Sequence, residues 1–127
     1  MNIQILVFFM SILFGAIVLI EVLPPRGVEQ ITVIELIELL KDRSKNNYQY
    51  IDVRTSKQFH RLHVFGFNNI PLHDLKKKAN QLSKDKKVVV ISERGIGGNE
   101  ACKILKRRGF SNLANVRGGV VTWESHE

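Results

Sequence analysis

Hydrophobic and polar positions along the chain alternate in two regimes, one continuous and one periodic. Ile5 to Ile20 is apolar except for Ser11 and Gly15, inside a stretch from Asn2 to Ile20 without a charged side chain. No polar face interrupts it, which argues against an amphipathic core helix. Ile3 to Leu23 as a helix would measure about 30 Å, one hydrocarbon core, so residues 1–23 are expected to form one transmembrane helix. A cleaved signal peptide is the rival reading. It is disfavoured because no Lys or Arg precedes the run and Glu21-Val22-Leu23-Pro24-Pro25 offers no small-x-small site. Residues 24–28, containing Pro24-Pro25-Arg26-Gly27, end the helix as a short stiff linker.

Residues 29–127 are periodic. Gln30-Ile31 predicts a short edge strand. Thr32-x-x-Glu35 is a capping-box pattern opening a helix with Val33, Leu36, Ile37 and Leu40 on one face, ended by polar Lys41 to Asn47. Tyr48 to Val53 predicts a strand, Ser56 to Arg61 a short helix and Asn69-Ile70 a minimal strand before Pro71. Leu72, Leu75, Ala79 and Leu82 then mark a helix that leaves Lys76-Lys77-Lys78 largely outside. Val88 to Ile91 is a β-branched run too short for a helix, and reads as a strand buried on both faces. Ser92, Glu93, Arg94, Gly95, Ile96 and Gly97 form the loop that follows. Asn99 and Glu100 are expected to open a helix through Ala101, Ile104 and Leu105 that stops at Gly109. Leu113 to Val116 is the last strand, and Arg117-Gly118-Gly119 turns into a helix ending near Trp123. Alternating strands and helices predict an α/β domain with a mostly parallel sheet covered on both faces. Sites in such sheets lie at the C-terminal ends of the strands, where Asp52, Arg54 and Ser92 fall. Strand, tight turn and helix N-terminus also form an anion-binding geometry.

Composition narrows the picture. The 127 residues suit one domain plus an accessory segment, without internal repeats. Cys102 is the single cysteine, which excludes an internal disulfide and a cysteine metal cluster and favours a reducing, cytosolic setting. All 19 Lys and Arg lie from Arg26 onward, as do 11 of the 12 acids, so the soluble part carries the positive charge. Arg26, Lys41, Arg43 and Lys45 follow the apolar helix, and positive-inside bias places the domain in the cytoplasm of a single-pass protein. Lys76-Lys77-Lys78, Lys84 with Lys86 and Lys87, and Lys106-Arg107-Arg108 form three basic clusters. A solvated face is their plain reading and contact with anionic lipid beside the anchor the functional one. Nucleic acid is disfavoured because no aromatic residues interleave them.

Asp52-Val53-Arg54, Gln58-Phe59, His63, Gly66, Asn69-Ile70-Pro71, the Val-rich strand and its loop, Gly109-Phe110, and Gly118-Gly119-Val120 with Trp123 together resemble a rhodanese-like domain over roughly Glu29 to Trp123. The resemblance implies a parallel sheet flanked by helices, with the loop after the central strand as active site. In active members a cysteine opening that loop takes sulfane sulfur from a donor such as thiosulfate, becomes a persulfide, and passes the sulfur to a thiophilic acceptor. That position is Ser92 here, so no catalytic residue is assigned. A serine hydroxyl cannot form the sulfur-sulfur bond, and without an adjacent base it is a poor nucleophile. Glu93 would repel an anionic donor, Arg94 partly offsets it, and Gly97 replaces the basic residue that often closes the loop. The related phosphatase pattern Cys-x5-Arg also fails, at Ser92 and at Gly98.

Other candidates have bland readings. Cys102 is expected about one turn into its helix amid Ala101, Ile104 and Leu105, as a small buried hydrophobe. His60 and His63 lack a third ligand nearby, so neither metal nor cofactor is expected. Asp52 and Arg54 are expected to support the loops, and Trp123 to anchor the core. The favoured reading is a membrane-tethered, catalytically silent module that meets a protein partner of unknown identity. The alternative is a thiosulfate-type sulfurtransferase working by an unidentified route, and a phosphorylated Ser92 is a third.

Overall fold

The computed structural model describes residues 2–42 and 47–126. Arg43 and Lys45, two of the basic residues used above for orientation, lie outside the described residues. Helix α1, Ile3–Val22, is capped by the Asn2 side chain, which accepts from the Gln4 N–H at 3.1 Å. Its side chains are exposed along its whole length, and with a mean hydropathy of 2.8 it is long and apolar enough to cross a membrane.

The remainder is one five-stranded sheet, parallel throughout, in the order β1-β5-β4-β2-β3. Its strands are β1 Val28–Ile31, β2 Tyr48–Asp52, β3 Asn68–Asn69, β4 Lys87–Ile91 and β5 Leu113–Val116. Helices α2 Val33–Lys41, α3 Ser56–Arg61, α4 Leu75–Lys78, α5 Ile96–Arg107 and α6 Gly119–Glu124 connect or follow them. The expected α/β architecture, a parallel sheet flanked by helices and preceded by one long apolar helix, is therefore present.

β4 explains the two-sided core. Val88 and Val90 point into a layer with Leu75, Ala79, Ala101, Cys102 and Leu105, while Val89 and Ile91 point into a second with Val33, Leu36, Val116 and Val120. All four are fully buried, the pattern a parallel strand covered on both faces requires.

Several boundaries differ from expectation. β1 starts two residues early, at Val28, because it pairs along Leu113 to Val116 of β5. β2 ends at Asp52 rather than Val53, and β3 is Asn68–Asn69, set by pairing with Ile51 and Asp52. The helix expected from Leu72 to Leu82 is three short pieces, α4 flanked by 3-10 turns at Leu72–Asp74 and Ala79–Gln81. A segment this short gains little from helical hydrogen bonds alone. The burial of Leu75 and Ala79 fixes its centre, and its ends tighten around them.

The largest correction concerns α5, which starts at Ile96 and not at Asn99. Gly97 and Gly98 have poor helix propensity and read as loop. In the structure they form the first turn, and at Gly98 only a residue without a side chain fits. A Cβ on Gly98 would lie 1.9 Å from Asn115 Oδ1 of β5. Cys102 consequently sits nearly two turns into α5 rather than one.

Leu105 is fully buried where α5 meets the sheet. Leu105→Ala should cost about 2–5 kcal/mol through lost burial and a residual cavity. Denaturant titration of the full chain in micelles, read by Trp123 fluorescence, checks this; a loss below about 1 kcal/mol would refute the packing described.

Candidate functional site

The C-terminal ends of β2 and β4 open onto one pocket of about 370 Å³ lined by Val53, Arg54, Thr55, Gln58, Ser92, Glu93, Arg94, Ile96 and Gly97. The strand ends thus bring together Ser92, its loop and Arg54, while Asp52 lies fully buried behind them.

Ser92 is the first residue beyond β4 and is 4% exposed. Its Oγ accepts a hydrogen bond from the Gly95 N–H at 3.0 Å, which closes the turn, and Gly95 takes the left-handed φ of +102° that aims the chain into α5. The first-turn N–H groups of Ile96, Gly97 and Gly98 precede any helical acceptor. These donors gather as a cup at the turn that Ser92 opens. The loop's carbonyls are held from the other side by α6: Val120 N–H donates to Ser92 O at 2.9 Å and Val121 N–H to Glu93 O at 3.0 Å. Gly119 permits that approach, since a Cβ there would stand 2.3 Å from Ser92 O.

Asp52 and Arg54 form a buried pair. Arg54 Nη2 donates to Asp52 Oδ2 at 2.9 Å, Nε reaches both carboxylate oxygens at 3.1 Å, and the Arg54 N–H donates to Oδ1 at 3.0 Å. Nη2 also donates to Leu62 O at 2.7 Å, and the Asn69 amide donates to Asp52 O and Arg54 O at 2.9 and 3.0 Å. Burial by itself would lower the Arg54 pKa, but the hydrogen bonds and charge of Asp52, then those of Glu93, outweigh it and leave the guanidinium raised. It stays charged at any physiological pH.

Glu93 is the second partner. Its Oε2 lies 3.4 Å from Arg54 Nη1 and 3.5 Å from Gln58 Nε2, so the guanidinium is shared between two carboxylates. Arg94, exposed at the rim, is the one cation lining the pocket that makes no such pair. Among the described residues, no carboxylate or imidazole bonds Ser92 Oγ, so the hydroxyl lacks a base.

Sequence reasoning missed two supports. Thr55 and Gln58 form a complete capping box at the start of α3, with reciprocal bonds of 3.2 and 3.1 Å, and the box sets the Gln58 amide beside Glu93. The Thr-x-x-Gln pattern was available as the signal. Asn115, 1% exposed in β5, donates to Gln30 Oε1, Gly95 O and Asn99 Oδ1 at 3.0–3.1 Å and ties the loop to the edge strand. A lone polar residue inside an apolar strand was its only trace.

Cys102 lies in the core, fully buried, and burial pushes its thiol up to about 12. His63 stacks on Phe59 at a centroid distance of 3.8 Å, with Nδ1 2.8 Å from Phe59 O. No group of three metal-ligating side chains occurs among the described residues. Trp123 is half-buried against the α2–α6 layer.

A family profile described as a rhodanese-like domain matches residues 35–126. The uncharacterized protein YqhL of Bacillus subtilis is 33% identical over 75 residues, covering 59% of this chain and 60% of that protein. The thiosulfate sulfurtransferase GlpE of Coxiella burnetii is 26% identical over 98 residues, 77% of this chain and 89% of that one. The crystal structure of a rhodanese-related protein from Thermoplasma volcanium superposes with a TM-score of 0.67 at 28% identity, covering 77% of this chain and 92% of that one. The chain spans 60% of the length of YqhL and 43% of a second Bacillus subtilis relative, YrkF.

Arg54→Met should destabilise the domain by about 3–5 kcal/mol, because it strands the Asp52 charge in the interior. Glu93→Gln, at a half-exposed position, should cost under about 1 kcal/mol. Equal losses in denaturant titrations would refute this ordering. The raised thiol makes a further prediction: its stabilising contribution is whole below the ordinary thiol value of 9.0 and is lost as pH rises toward about 12, as the unfolded chain ionises first. Cys102→Val should flatten that part of the alkaline stability curve.

Proposed function

The chain belongs to the rhodanese-like domain family, and from that premise we propose that it is a membrane-anchored binding module that does not transfer sulfur. The observation that carries the reading is Ser92 at the base of the cup, with Oγ turned into the loop and no base beside it. A persulfide requires a sulfur at that position, and the chain's only sulfur nucleophile, Cys102, is sealed in the core with its thiol held protonated.

The electrostatics support the same conclusion. A thiosulfate-like donor needs unpaired positive charge inside the pocket, whereas Arg54 is already matched by Asp52 and Glu93 and Arg94 stands in solvent at the rim. What remains is a pocket with an apolar wall from Val53 and Ile96 and, at its rim, the Glu93 carboxylate beside one exposed cation, Arg94. Such a surface suits recognition of a partner segment better than turnover of a small dianion. Helix α1 serves as the anchor in this reading, and Arg26 and Lys41 after it favour a cytoplasmic domain.

The full chain in micelles should yield no thiocyanate from thiosulfate and cyanide. Ser92→Cys should acquire one sulfur atom by intact mass after thiosulfate treatment, because the cup is otherwise in place. Turnover by the unsubstituted chain that vanishes in Cys102→Ala would sink the proposal in favour of a sulfurtransferase using another route.

A further inference from the structure

We propose that the basic arc running from the end of α1, along the C-terminal half of α5, to the pocket beside Lys84 is a docking surface for an anionic lipid leaflet. The inference rests on α1 being a membrane anchor. Two contacts tie the arc to it. Lys103 Nζ donates to the Glu21 carbonyl at 3.0 Å, and Lys106 Nζ donates to the Arg26 carbonyl. Glu21 lies in the last turn of α1, where carbonyls lack helical donors and the helix dipole is negative. A bilayer around α1 therefore has its headgroups at the level of Lys103.

Further basic residues follow along the chain. Lys106, Arg107 and Arg108 are exposed at the end of α5. Arg108 joins Lys76, Lys77 and Lys84 around a pocket of about 550 Å³ whose remaining lining is Ala79, Asn80, Leu82 and Phe110. Among the described residues, no acidic one lines it. Among the described residues, Lys76, Lys77, Lys84, Arg107 and Arg108 form no ion pair, whereas Lys41, Lys78 and Lys87 pair with Glu38, Asp74 and Glu29.

The chemistry of the arc selects its occupant. Single-stranded nucleic acid needs exposed rings on which bases stack. The ring in this pocket, Phe110, is 4% exposed and covered by Lys84 at 5.8 Å. A small anion would need buried charged donors, and these lysines stand in solvent. A planar negative surface needs only several unpaired cations within a Debye length of about 8 Å. The short linker Leu23 to Gly27 brings the exit of α1 beside Lys103 and Lys106, where the arc begins.

The test reconstitutes the full chain in nanodiscs of phosphatidylcholine, with and without phosphatidylglycerol, and measures acetylation rates of individual lysines by mass spectrometry. Lys76, Lys77 and Lys84 should label several-fold more slowly in the anionic discs, with the protection lost at high salt and Lys57 of α3 unchanged. Equal labelling in both discs overturns the proposal, as does protection conferred by an RNA oligonucleotide but not by the anionic lipid. Carbonate extraction of native membranes separates the two levels: release of the chain refutes the anchor itself, while retention with lipid-insensitive labelling refutes the arc alone.

Discussion

The buried pair of Asp52 and Arg54 is the contact on which the functional end of this domain depends. An aspartate at full burial is tolerable only because a guanidinium meets it with several hydrogen bonds, and the guanidinium is tolerable only because its remaining donors are also used. Those remaining donors reach Leu62 and Glu93, on the segment after α3 and on the loop after β4. The planar fork of arginine fixes distances and directions together, which a lysine ammonium would not. The end of β2, the approach to β3 and the rim of the pocket are thereby referred to one side chain.

The loop after β4 is governed by a different set of bonds. Backbone donors of α6 hold its carbonyls, Asn115 holds Gly95 O, and among the described residues the bond from Gly95 N–H to Ser92 Oγ is the one that uses the Ser92 side chain. The shape of the cup is thus stored in the backbone and its neighbours. The loop's shape is therefore largely independent of which side chain stands at residue 92.

Much of this was legible in the sequence, and the failures are instructive. Val88 to Ile91 announced a doubly buried strand because β-branched residues in an unbroken run have little other use. The helix at Ser56–Arg61 was placed correctly, although the Thr55 cap that opens it was overlooked. Gly97 and Gly98 read as loop because propensity is local, while the demand at Gly98 is the close approach of α5 to Asn115, on a strand far along the chain. The break-up of Leu72 to Leu82 was hidden for the same reason: the spacing of apolar residues reports which side faces the core, not whether the hydrogen bonds run to the third or fourth residue. The Asp52–Arg54 geometry was visible only as two charged residues at a strand end. That the arginine is divided between two acids follows from the placement of Glu93, which no spacing encodes.

Helix α5 has one end under the Ser92 cup and the other tied through Lys103 and Lys106 to the exit of α1. Its 12 residues form a rigid strut about 18 Å long at about 1.5 Å per residue. In the proposed anchored state, that strut acts as a ruler for how far the pocket stands from the exit of α1. Partners would then be sorted by reach as well as by chemistry, and a neighbour in the same membrane would have to present its contact segment at that elevation.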